Sequence, residues 1–256
     1  VESHRGAHFT FRLPGELSGA LREFCKREDV TLFMALLAAF EVLLFRSSGQ
    51  EEFCVGTPIA NRSRQQVESL IGFFVNTLAI RARLHGELSF REALRLTRET
   101  CLEAYSHQDL PFEVLVDALQ IERSLSYSPV FQVMFALEES AIQKFQLPGL
   151  SAELIQVENG LTKFDLTLTV REDSGGLSGI FEYSSDLFTG ETIQRMTDHF
   201  CELLTHAVAH PETAISRLPM LTAVERALVL NQWSFISTPA DLTKTLPDLV
   251  DEQAEI

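Results

Sequence analysis

The chain has 256 residues, of which 45% are hydrophobic and 22% charged, the balance of an ordinary soluble folded protein with one large core or two small ones. A formal net charge of −15 argues against nucleic acid as a partner, because phosphate binding needs clustered Lys and Arg. It argues equally against anionic membrane surfaces.

Phe9, Phe11 and Leu13 alternate with polar residues and predict a short strand, closed by Pro14-Gly15. Leu17, Leu21, Phe24 and Cys25 repeat at helical spacing. Thr31 is the expected N-cap of an apolar helix running to Phe45, broken only by Glu41 and stopped at Ser47-Ser48-Gly49. That run is too short to span a bilayer and reads as a buried core helix. A strand from Glu52 to Val55 should end at Gly56-Thr57-Pro58. After a polar stretch, Phe73 to Leu84 has strand character, with Leu78, Ile80, Ala82 and Leu84 on one face and Arg81 and Arg83 on the other.

Ser89-Phe-Arg-Glu92 is a capping box, and Phe90, Ala93, Leu94, Thr97, Cys101 and Tyr105 follow on one helical face. A shorter helix starts near Pro111. Val130 to Leu137 is a further strand. Phe164 to Val170 and Leu177 to Tyr183 form a hairpin about Asp173-Ser-Gly-Gly176. Thr189 caps a long amphipathic helix that ends at His210-Pro211, and Thr222-Ala-Val-Glu225 caps another reaching about Trp233. Interleaved strands and helices predict an α/β (α+β sandwich) class with a mixed sheet flanked by helices. The compact unit should occupy residues 1–221, and the acidic tail within 222–256 reads as a linker.

Chemical motifs are sparse. No phosphate-binding loop, dinucleotide fingerprint, nucleophile elbow or H-E-x-x-H is present. His199, His206 and His210 on the long helix read as surface or helix-end residues, so no metal site is expected. His107-Gln-Asp109 pairs a His with an Asp, as a general base would need, but the following Leu110-Pro111 makes Asp109 the expected cap of the next helix. Cys25, Cys54, Cys101 and Cys201 lie far apart and suit reduced thiols of a cytosolic protein. Val1 to Arg12 shows no secretory signal, and the start without Met suits an excised segment.

Three ordered segments resemble the downstream motifs of condensation domains in nonribosomal peptide synthetases. They are Ile71-Gly-Phe-Phe-Val-Asn-Thr77 continuing to Arg81, His107-Gln-Asp-Leu-Pro-Phe-Glu113, and Arg123-Ser-Leu-Ser-Tyr-Ser-Pro129. Gly56-Thr-Pro-Ile-Ala-Asn-Arg62 and Tyr183-Ser-Ser-Asp-Leu-Phe188 fit the same family. The third motif departs from the usual pattern at Ser124, Tyr127 and Ser128. Leu218 to Trp233 resembles the connector after such domains, and Thr245 to Gln253 the start of an adenylation domain.

The resemblance implies one lobe of a two-lobed fold similar to chloramphenicol acetyltransferase, with the active site in a tunnel between lobes. The family forms amide bonds between aminoacyl or peptidyl thioesters carried on phosphopantetheine. Its His-His-x-x-x-Asp-Gly motif, whose second His assists the acceptor amine, does not occur in this chain. The resemblance therefore implies a C-terminal lobe, inactive alone, in the cytoplasm. Its expected partners are the N-terminal lobe, peptidyl carrier proteins and an adjacent adenylation domain. No residue here is expected to be catalytic, and no cofactor is expected to be bound.

Gly72, Asn76 and Thr77 are the expected tunnel residues. Asn76, with donor and acceptor groups, either orients an amide or pantetheine chain or anchors a turn. His107, Asp109, Pro111, Arg123 and Pro129 are expected to be structural. Two alternatives remain: a non-catalytic module that binds carrier proteins or a neighbouring domain, and a stand-alone acyltransferase using His107.

Overall fold

A computed structural model describes residues 3–62, 65–121, 127–139, 159–173, 176–233 and 247. Arg123 and most of the segment from Thr245 to Gln253 lie outside the described residues. The chain divides into two compact units, residues 1–220 and 221–256.

In the first unit, strands β1 (Gly6–Arg12), β2 (Glu52–Ile59), β3 (Asn76–Arg83), β4 (Val133–Glu139), β5 (Leu166–Asp173) and β6 (Gly176–Ser184) form one sheet. Their order is β1-β6-β5-β4-β2-β3. β4 runs parallel to β2 and β5, and every other pairing is antiparallel, so the sheet is mixed as expected. The helices are α1 (Gly15–Glu28), α2 (Leu32–Ser48), α3 (Gln65–Glu68), α4 (Phe90–Ser106), α5 (Phe112–Ala118) and α6 (Gly190–Ala209). Among the described residues, no single helix is long and apolar enough to cross a membrane.

Local signals account for the starts of α2, α4 and α6. The hydroxyls of Thr31 and Thr189 accept the Met34 and Thr192 N–H groups, and Ser89 with Glu92 completes a capping box. Alternation accounts for the sheet's two faces. In β6, Leu177, Gly179, Phe181 and Tyr183 are buried while the residues between them are half-buried. The buried face meets α1, α2, α4 and α6 in one core. Met34 to Leu43 of α2 are buried without interruption. Phe40 packs against Phe135 of β4 and Phe181 of β6 at centroid distances of 5.9 and 6.3 Å.

Several strand boundaries differ from expectation, with β1 at Gly6–Arg12 and β4 at Val133–Glu139 shifted by a few residues, and two differences bear on the site. β2 continues through Pro58 to Ile59. The Leu84 N–H bond to the Glu51 carbonyl makes odd-numbered β2 residues the hydrogen-bonded partners of β3, so the Pro58 nitrogen points away from β3. On that side β4 pairs only with Val55 and Gly56, so Pro58 removes no ladder bond. β3 starts at Asn76 rather than Phe73, because Phe73 and Val75 line a cavity instead of a ladder.

The second unit contains α7 (Ala223–Leu228), opened by the expected Thr222–Glu225 capping box, and a π-helical turn over Val229–Trp233.

Candidate functional site

A cavity of about 860 Å³ lies on the sheet face away from the four long helices. Pro58, Thr77 and Met134 form its floor, while their neighbours Thr57, Leu78 and Phe135 turn into the core. Pro111, Phe112 and Val116 of the α5 region make one wall. Phe73 and Val75, in the connector between β2 and β3, make another. Phe131 stands between Phe112 and Phe164, with ring centroids 5.3 and 5.5 Å apart.

Two backbone features hold this aromatic row. A Cβ at Gly56 would fall 2.2 Å from Phe131 Cε2, so the ring needs a residue without a side chain beneath it. Val130 has φ of 72°, and the Phe131 N–H bonds to the Pro129 carbonyl at 2.9 Å, closing a tight three-residue turn. Such a conformation is strained for a β-branched residue, at a cost of about 1–3 kcal/mol.

Asn76 joins the cavity floor to the corner between α4 and α5. Its Nδ2 donates to the Gln108 and Leu110 carbonyls at 2.9 and 2.8 Å, and its Oδ1 accepts the Phe112 N–H at 3.1 Å. Both of its amide hydrogens are thereby committed to backbone. This arrangement corrects the expectation for Asp109. Pro111 is the N-cap of α5 and supplies no side-chain cap; Asn76 satisfies the first helical N–H from across the fold.

Of the other nominated residues, Thr77, Pro111 and Pro129 line the cavity. Gly72 does not, but a methyl there would lie 3.1 Å from Phe74 Cε2, tighter than ordinary contact. His107 is the exposed C-cap of α4, and neither it nor Asp109 lines the cavity.

Sequence reasoning missed Phe112, Phe131 and Phe164 as a wall. It also missed Lys163, whose Nζ lies 5.3 Å from the Phe164 ring centroid, and Glu113 at the rim. Only the abundance of Phe hinted at such a wall. Among the described residues that line the cavity there is no histidine, cysteine or aspartate. The lining is mostly apolar, with a few polar groups at its edge.

A helix-backed mixed sheet with a cavity on its open face is the chloramphenicol-acetyltransferase-like fold of condensation domains. Over residues 1–230 the chain matches the family model "Condensation domain". It is 48% identical over 256 residues to a linear gramicidin synthase polypeptide of Brevibacillus parabrevis, covering 99% of this chain and 5% of that protein. To bacitracin synthase 1 of Bacillus licheniformis it is 38% identical over 257 residues, covering 100% of this chain and again 5% of that protein. A four-domain nonribosomal peptide synthetase bound to AMP and glycine superposes with a TM-score of 0.81 and 26% identity, over 89% of this chain and 18% of that one. The condensation domain of the Monacolin K polyketide synthase MokA has the same fold, with a TM-score of 0.75 and 23% identity over 84% of this chain and 49% of that one. The X-domain of teicoplanin biosynthesis, solved in complex with OxyB, gives 0.77 and 26%, over 87% of this chain and 50% of that one. The chain belongs to the condensation-domain family of nonribosomal peptide synthetases.

Proposed function

We propose that the chain is the C-terminal half of a condensation domain and works only with a preceding half. In the joined domain, an acceptor amine attacks a donor aminoacyl or peptidyl thioester carried on phosphopantetheine, forming the amide and releasing the thiol. The observation that carries this reading is a cavity with no histidine among its described lining residues, in a family member whose sequence contains no His-His-x-x-x-Asp-Gly. Covering 49% of the MokA condensation domain is consistent with half a domain.

The proposed division of labour is positional. The preceding half brings the base, and this half brings the cavity wall along which the tethered substrate lies. Residues 1–221 form the lobe, and 222–256 link it toward an adenylation domain. Peptidyl carrier proteins deliver the substrates in the cytoplasm. Exposed Leu70, Ile71 and Phe73, with Leu110, Val114 and Leu119 about α5, give the lobe apolar surface suited to its partner half.

The test is to incubate the purified chain with donor and acceptor aminoacyl carrier proteins and follow product by mass spectrometry. No product above a no-enzyme control is expected; clear turnover by the chain alone refutes the reading. A second reading, a non-catalytic module that holds a partner protein, draws on the X-domain solved with OxyB. The exposed position of His107, outside the cavity, lends no support to a stand-alone acyltransferase.

A further inference from the structure

We infer that Arg62 is a positioning residue for the substrate cavity, pinning the β2–β3 connector so that Phe73 stands as an apolar lip against the entering acyl chain. The inference rests on the function proposed above.

The connector runs from Ile59 to Asn76. Beyond α3 its described backbone makes one main-chain hydrogen bond, Leu70 N–H to the Val67 carbonyl at 3.3 Å. Such a segment has little to hold it unless a side chain does so. Arg62 does. Its Nη1 donates to the Val67 carbonyl and to the Leu70 carbonyl at 2.8 Å, and its Nη2 reaches the Gly72 carbonyl at 3.4 Å. The Val67 carbonyl belongs to the last turn of α3, where it also accepts the Leu70 N–H, and the Leu70 carbonyl lies just beyond that turn. The guanidinium carbon also lies 4.3 Å from the Phe74 ring centroid.

Gly72 completes the clamp. With only 3.1 Å between a would-be Cβ and the Phe74 ring edge, a larger residue at 72 would push that ring from beneath the guanidinium. Phe73 is thus fastened on both sides, through the Gly72 carbonyl and the Phe74 ring. Its own side chain is 90% exposed yet lines the cavity. A planar fork with several donors suits this task; a lysine offers one point charge and cannot bridge spread carbonyls while stacking.

Two measurements test the inference. In this chain, Arg62→Gln should speed chymotrypsin cleavage after Phe73 or Phe74 by about tenfold while other sites keep their rates. Unchanged cleavage overturns the clamp. In the complete condensation domain, Arg62→Gln and Phe73→Ala should each raise KM for an aminoacyl-pantetheine thioester by about tenfold, with kcat within about threefold.

The double variant should be no worse than the worse single one, because both remove the same lip. Additive effects, or an unchanged KM, contradict it. Arg62→Lys should give a smaller rise of the same kind and replaces the Gln variant if that one fails to fold. Full activity of the Lys variant shows that charge rather than the fork matters and also overturns the inference. An unsubstituted domain that makes no product refutes the proposed function, while the cleavage experiment still decides the role of Arg62.

Discussion

Glu41 interrupts an otherwise apolar helix and is 1% exposed. Its Oε2 lies 2.6 Å from Thr97 Oγ1, which is also 3.1 Å from the Ala93 carbonyl oxygen. A hydroxyl has one proton. Both contacts are satisfied when Thr97 donates to Ala93 and accepts from a protonated Glu41. Oε1 has no partner, which a buried carboxylate would not tolerate. Burial pushes the Glu41 pKa up to about 7. Arg81, Arg83, Glu99 and Glu103, with Glu41 itself, line an adjoining cavity of about 150 Å³. Cys101, whose thiol burial pushes up to about 12, also feels the Glu41 charge.

The unfolded carboxyl titrates near 4.5, so its stability contribution is full below that pH and falls as pH rises toward 7. The loss amounts to about 3 kcal/mol. Glu41→Gln keeps a donor toward Thr97 and cannot ionise. It should match the unsubstituted chain in urea unfolding at pH 4 and exceed it by up to that amount at pH 8. An equal difference at both pH values would contradict a neutral Glu41. The sequence showed Glu41 as a break in a run, but its partner lies 56 residues away, beyond any local pattern.

At the scale of elements, the corner between α4 and α5 depends on Asn76. Asn76→Ala leaves the Gln108 and Leu110 carbonyls and the Phe112 N–H without their partner, at a cost of about 2–3 kcal/mol in urea unfolding. Asn76→Asp should cost more, since a carboxylate would face two carbonyl oxygens. An Asp variant as stable as the parent would show that the anchor is not needed.

The elements that could be read from sequence carried local signals. The Ser89–Glu92 box and the alternation of β6 needed only neighbouring residues. The missed features were nonlocal. Pro58 is tolerated inside β2 because β4 has diverged, and the cap of α5 comes from another strand. Asp109 carried the right local pattern and lost to Asn76.

For the whole molecule, the α/β class was legible in the interleaving of patterns, and the family in three ordered motifs. The strand order β1-β6-β5-β4-β2-β3 was not, because it places β2 beside β4 and brings β1 to pair with β6 across most of the chain. The cavity escaped notice for the same reason. Phe112, Phe131 and Phe164 come from separate segments and meet only in the fold.

The most direct test is reconstitution. This chain and a separately made preceding half carrying the His-His-x-x-x-Asp-Gly motif are mixed at high concentration. Association is measured by calorimetry and peptide product by mass spectrometry. Separation removes the effective concentration that linkage provides, so weak association with restored product is the predicted result. Neither binding nor product, while the intact domain works, would contradict complementing halves.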